Sequence, residues 1–353
     1  MSFENIEWAY ASGEPSNTGL MRATPEDFAV DEVLGFEPDG EGEHVLIHIR
    51  KRNANTEWLA RQLARFAGVK PMDVSYAGMK DRNAVTTQWF SIGLAGKPEP
   101  DWKQIENDDI QVLQVARHRR KLRRGSLKGN RFRLHITKLN GDLTGLEERL
   151  QRVANDGVPN YFGEQRFGFE YDNLRRADAM FRGEFHERDR HKRGLYLSAA
   201  RSYLFNEVLS RRVTDGTWNL PLPGEALMLA GSHSFFVANE IDTTILARIE
   251  EGDIHPSGPL WGRGDLASHS DARELEQEVL SAHNEWCVAL EKAGLEQERR
   301  ALRLPVQDLS WIIDAEQRVL TLSFMLDAGS YATTVLRELV AVQEPGEPCA
   351  SAE

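Results

Sequence analysis

The 353 residues include 43 Lys and Arg against 55 Asp and Glu, a formal net charge of -12, and 41% are hydrophobic. Such a chain accommodates two domains with buried cores, and its acidic balance excludes a protein that coats nucleic acid indiscriminately, because phosphate backbones are bound by clustered Lys and Arg. The two cysteines, Cys287 and Cys349, lie too far apart in the sequence to suggest a disulfide framework or a Cys-based zinc site. No apolar run approaches a membrane span, and the N-terminus lacks the pattern of a signal peptide, so a cytoplasmic protein is expected.

From Leu20 to Asp31 the chain reads as extended segments broken at Thr24-Pro25-Glu26-Asp27, followed by a turn-rich acidic loop from Gly35 to Gly42. His44 to Arg50 alternates as a half-buried strand. His44 and His48 share one face of it, but no third ligand accompanies them, so they read as ordinary histidines. Asn55-Thr56 followed by Trp58, Leu59, Leu63 and Phe66 predicts a capped amphipathic helix ending at Gly68. Val74–Ala77 and Val85–Ile92 have strand residue types and enclose a turn-rich stretch, which places Asp81 on the loop of a hairpin.

Asp81 stands between Lys80 and Arg82. Loops held by rigid elements often carry catalytic groups, and a carboxylate flanked by two cations would be held ionised, which suits a nucleophile or general base. Lys-Asp-Arg on a loop is usually a solvated turn, and on spacing alone that reading comes first.

The run from Arg117 to Arg133 contains no acidic residue. Arg119, Arg120, Arg123, Arg124 and Lys128 therefore read as contacts to RNA phosphates, with a solvated face as the alternative. Asn130 and Phe132 add an amide and an aromatic face able to hold an unstacked base, although the alternation from Arg131 to Ile136 also puts Phe132 on the inward side of a strand.

Near Asn155–Pro159 strands give way to a mostly helical region. Helices are predicted over 173–181, 197–213 and 270–293, with Gly/Pro-rich segments at 220–225 and 255–264. Strands return at 308–313 and 318–326, and a helix at 331–339. The pattern predicts one domain formed by 1–155 and 305–353, a second inserted as 156–304, and a frayed tail from Pro345.

The stretch Gly78-Met79-Lys80-Asp81-Arg82-Asn83-Ala84-Val85-Thr86-Thr87-Gln88 resembles the active-site signature Gly-x-Lys-Asp-x-x-Ala-x-Thr-x-Gln of the tRNA pseudouridine synthase D (TruD) family at every fixed position. The resemblance continues through Pro25–Phe28, Gly129–Phe132, Pro159–Gly168, Leu197–Ser202 and Ala328–Thr333, nearly the whole chain. It implies an α+β fold with a mixed, largely antiparallel sheet of pseudouridine synthase type and an inserted, helix-rich TRUD domain closing over the cleft. It also implies isomerisation of a uridine, at position 13 of tRNA, with no cofactor and no metal. The implied partner is tRNA, with no membrane and no protein partner, and a monomer is expected.

Residue by residue, the resemblance makes Asp81 the essential carboxylate and puts Arg22 where the family carries a basic residue that pairs with it. Asn130 and Phe132 would contact the target base, and Phe28, Lys80, Arg166, Arg201 and Tyr331 would bind substrate. Tyr331 departs from the family's usual Phe and brings a phenol that must be satisfied. Two other readings of the same residues are a non-catalytic binder of structured RNA and a glycoside hydrolase or nucleosidase with Asp81 as nucleophile. The latter lacks an identifiable general acid.

Overall fold

Runs of β-branched and aromatic residues alternate with capped amphipathic stretches, and in the computed structural model, which describes residues 3, 6–94 and 96–345, they become strands and helices. In chain order the elements are β1 (Thr18–Met21), β2 (Phe28–Leu34), β3 (His44–Arg52), α1 (Thr56–Phe66), β4 (Val74–Tyr76), β5 (Val85–Gly93), β6 (Ile110–His118) and β7 (Leu127–Asn140). There follow α2 (Leu143–Asp156), β8 (Val158–Pro159), α3 (Asp172–Phe181), α4 (Arg190–Thr214), β9 (Glu225–Leu229), β10 (Phe235–Ala238), α5 (Thr243–Glu250) and β11 (Ile254–Leu260). The last described elements are α6 (Ser270–Ser281), α7 (Asn284–Lys292), β12 (Glu298–Ala301), β13 (Arg303–Leu304), β14 (Gln307–Asp314), β15 (Val319–Asp327), α8 (Ala332–Leu339) and β16 (Ala341–Gln343).

Packing divides the chain into two units. Of the described residues, one unit holds those in 16–147, 306–329 and 340–345; the other holds Phe3 and those in 6–15, 148–305 and 330–339. In the first, ten strands form one sheet in the order β14-β15-β7-β2-β5-β3-β6, with β1 joining β7 to β16 and β4 flanking β5. Its ladders are antiparallel except β2–β5 and β1–β16. The Asn55 side chain caps α1 by accepting from the amides of Glu57 and Trp58 at 2.8 and 3.1 Å, and Gly68 ends the helix region with φ +62°. Leu59 and Leu63 of α1 then pack on Val45, Ile47, Ile49, Phe90 and Ile92. Trp58, read from sequence as part of that apolar face, points outward and is 43% exposed.

The second unit is built around α4, whose Leu197, Ala200, Leu204, Phe205 and Leu209 pack with Phe167, Leu174 and Trp286. This helix starts well before the predicted Leu197. Asp189 caps it, but the Arg-His-Lys-Arg that follows is polar all round and gives no apolar period to read. The predicted helix over 270–293 is two helices, parted where His283 leaves helical dihedrals and packs edge-on to Tyr203.

The unit also contains a four-stranded sheet, β10-β9-β11-β12, that the sequence reading missed. Its strand β11 was hidden by Pro256, Gly258 and Pro259. The first half of β11 pairs with β9 and the second half with β12, so each proline, which has no amide to donate, lies in one ladder only. A side chain at Gly258 would meet Leu302 and Phe205 at 2.9 and 3.1 Å, which explains the glycine. Among the described residues no helix is long and apolar enough to cross a membrane.

Candidate active site

The loop from Ala77 to Ala84 joins β4 to β5, and side chains from neighbouring elements fasten it. Gln88 donates through Nε2 to the Gly78 carbonyl at 2.5 Å and accepts from Thr56 Oγ1 at 3.0 Å, while Thr56 Oγ1 accepts the Lys80 amide at 3.1 Å. The Asn53 amide holds the Ala84 carbonyl at 3.2 Å, and Ala84 is fully buried. The fixed positions of the motif thus serve largely to hold one loop in one shape.

Lys80 corrects the sequence reading. Its ammonium turns inward to Glu32 at 2.8 Å, and both side chains are buried, so it does not flank the Asp81 carboxylate. Burial raises the Glu32 carboxyl above its usual range, with Lys80 opposing the shift.

Asp81 remains 48% exposed and is held from the other side by Arg22, Nη2 to Oδ2 at 3.1 Å. Arg22 also meets Glu344 Oε1 at 2.6 Å and lies with its guanidinium 4.1 Å from the centroid of the Phe28 ring. Its own backbone sits in the left-handed region, φ +59°, a conformation that non-glycine residues adopt at some cost. Fork, ring and two carboxylates therefore fix one cation beside the exposed aspartate.

The sequence reading missed Lys51. Its side chain is wholly buried, and Nζ donates to the carbonyl of Asp81 at 3.2 Å and that of Ala54 at 2.6 Å. Burial pulls the ammonium down to about 8, opposed by the charge of Asp81 and assisted by that of Lys80. A signal was present: Lys51 is in phase with Val45, Ile47 and Ile49, the inward positions of β3.

Directly paired residues share a sheet face. Phe28, Val30 and Glu32 of β2 lie opposite Leu134, Phe132 and Asn130 of β7, which in turn lie opposite Leu322, Phe324 and Leu326 of β15. Phe132 packs edge-on to Phe28 and stacks on Phe324, with centroids at 6.2 and 5.4 Å, and is 7% exposed. Beside it the buried Oδ1 of Asn130 has no hydrogen-bond partner among the described residues. An unsatisfied buried amide costs about 1–3 kcal/mol and calls for a ligand or a water. Gly129 is required here, since a Cβ would fall 2.2 Å from the Leu326 carbonyl.

The loop between β6 and β7 carries the arginine run. Leu122 is buried against Leu46, Ala77 and Trp89 and anchors it. Arg119 pairs with Glu41, and Lys121 donates to the Met72 carbonyl at 2.5 Å. Arg120, Arg123, Arg124 and Lys128 are exposed and make no salt bridge among the described residues.

In the second unit, Arg166 donates to the Tyr331 hydroxyl at 3.2 Å and to Ser198 Oγ at 3.3 Å, so the phenol flagged by sequence is satisfied. Arg300 lies 4.2 Å from the Phe162 centroid and donates to Asn160 Oδ1 at 2.6 Å; burial lowers its guanidinium to about 10. Arg201 donates to the carbonyls of Leu260 and Glu296 and pairs with Glu298 at 3.2 Å.

A largely antiparallel mixed sheet with an aspartate loop at its face, in a chain that also builds a second, helix-rich unit, is an α+β architecture of pseudouridine synthase type. A family model for tRNA pseudouridine synthase D (TruD) matches residues 5–187 and 170–339. A Methylococcus capsulatus protein named tRNA pseudouridine synthase D is 53% identical over 338 residues, covering 96% of this chain and 95% of that one. A protein of the same name from Nitrosococcus oceani is 54% identical over 342 residues, covering 96% of each. The crystal structure of a TruD-type protein from Methanosarcina mazei agrees in fold, with a TM-score of 0.75 at 23% identity over 95% of this chain and 96% of that chain. The chain belongs to the tRNA pseudouridine synthase D family.

Proposed function

We propose that this chain isomerises a uridine, at position 13 of tRNA, to pseudouridine, with Asp81 as the essential carboxylate. The reaction breaks the C1'–N1 bond and forms a C1'–C5 bond; C5 loses its proton and N1 gains one, so it is redox-neutral. Stacked bases hide all these atoms, so the uridine must be flipped out at a cost of a few kcal/mol. The observation that supports this reading most directly is the exposed Asp81, held by Arg22 on a loop that contacts from Gln88, Thr56, Asn53 and Lys51 fix.

On this reading Asn130 Oδ1 receives a donor from the base and Phe132 packs beside it. Phe28 supports Arg22, and Lys80 acts on substrate only through the loop it anchors. The exposed arginines and Lys128 hold phosphates and offset the cost of flipping. Arg166 and Tyr331 contact RNA from their own unit, and Arg201 shapes that surface. By connectivity 156–304 is an insertion between the two parts of a catalytic domain, 1–155 and 305–353, although packing groups 6–15, 148–155, Pro305 and 330–339 with the insertion. The enzyme works as a cytoplasmic monomer.

The test is tritium release from tRNA transcripts carrying 5-tritiated uridine. Release without free base supports isomerisation; release of free uracil would mark a nucleosidase, and binding with no release would mark a passive RNA-binding protein. A second expectation concerns the ring. Phe132→Leu keeps most of the buried volume but loses base stacking worth about 1–3 kcal/mol, so turnover at saturating tRNA drops roughly tenfold or more. Parental turnover by the folded fraction, measured against circular dichroism, would leave Phe132 with a packing role only.

A further inference from the structure

The deepest buried cation near the site is used by nothing in the reaction as described. Lys51 sits at the end of β3, and its ladder neighbours, Thr86 on β5 and Ile110 on β6, carry no charge. The charged groups facing it are Asp81 and Lys80 from the catalytic loop, and Lys80 is already paired with Glu32. Its ammonium reaches the main chain of Asp81 itself and, through Ala54, the corner that leads into α1. The other hydrogen bonds to the main chain of the loop hold Ala77, Gly78, Lys80 and Ala84, and Arg22 holds Asp81 only by its carboxylate.

We propose that Lys51 is a positioning residue for the isomerisation, fixing the Asp81 main chain and placing a positive charge near the carboxylate that Arg22 holds. This rests on the reading of Asp81 as the essential group. A buried ammonium is a costly fastener, since a methionine or leucine of similar reach would fill the space without desolvating a charge. Its retention here is explained by what the charge does to its neighbour. The Asp81 charge favours the ammonium, against the burial that opposes it.

The experiment uses the full-length protein and two readouts. In the first, Lys51→Met lowers the single-turnover rate by about a hundredfold, the scale of a misplaced catalytic group. Its tRNA affinity stays within about threefold and its melting temperature close to the parent's, and Lys51→Arg recovers part of the rate. The parental rate falls as pH rises past about 8, where the ammonium discharges, and this alkaline limb is absent in Lys51→Arg.

In the second readout, lysine side chains are labelled with 13C and 15N, and the Lys51 resonance is the one missing from Lys51→Arg. It should titrate lower in Asp81→Asn than in the parent, because the charge that favours the ammonium has gone. A resonance unmoved by Asp81→Asn overturns the coupling. A Lys51→Met protein whose folded fraction turns over normally overturns the positioning role. Full tritium release by Asp81→Asn together with a shifted resonance overturns the reading of Asp81 instead.

Discussion

Asp81→Asn should release tritium at roughly a thousandth of the parental rate or less while its affinity for tRNA stays within about tenfold, equivalent to about 1.4 kcal/mol. Asn has nearly the shape of Asp and can still accept from the Arg22 fork, so the substitution removes the charge and the nucleophilic or basic oxygen and little else. The loop is held by Gln88, Thr56, Asn53 and Lys51 through atoms other than the Asp81 carboxylate, so the melting temperature should barely move. Release above about a tenth of the parental rate would move the chemistry to another group.

The second large effect is on binding. Replacing Arg120, Arg123 and Arg124 together by Gln should cut the slope of log K against log salt by about 2, since each phosphate contact releases roughly 0.7–0.9 of a counterion. At about 0.1 M salt that corresponds to a loss of affinity on the order of a hundredfold. Arg119→Gln should do far less, because its guanidinium is engaged with Glu41. All three replaced side chains are exposed, and surface changes of this kind shift stability by about 0.5 kcal/mol or less. An unchanged slope in the triple variant would return the loop to an ordinary solvated face.

Much of the site was legible because its rules are local. The Asn55 cap, the alternation of β3 and β7 and the hairpin around Asp81 each depend on neighbours a few residues away, and they appear where expected. Partners fixed by the tertiary fold were not legible in this way. Lys80 was assigned to the nearest carboxylate in sequence, yet the sheet brings Glu32 to it instead. The pairing of Arg22 with Asp81 came from family resemblance and not from spacing. Strand β11 failed for the opposite reason: local rules count Pro256 and Pro259 as breakers, and only the staggered pairing with β9 and β12 makes them tolerable.

The sheet that carries the aspartate loop is completed by strands that come more than 200 residues after that loop, beginning with β14 at Gln307. Strands β14 and β15 join it at β7, and β16 joins it at β1. During synthesis the hairpin bearing Asp81 therefore leaves the ribosome long before the strand that covers the free edge of β7. Until Val319–Asp327 is made, the edge of β7 that bears Asn130, Phe132, Leu134 and Ile136 lacks its partner and is open to pairing with another chain. A nascent or truncated chain ending before that strand can carry the whole catalytic motif and still be an aggregation hazard, so quality control of this protein is expected to act on its last strands.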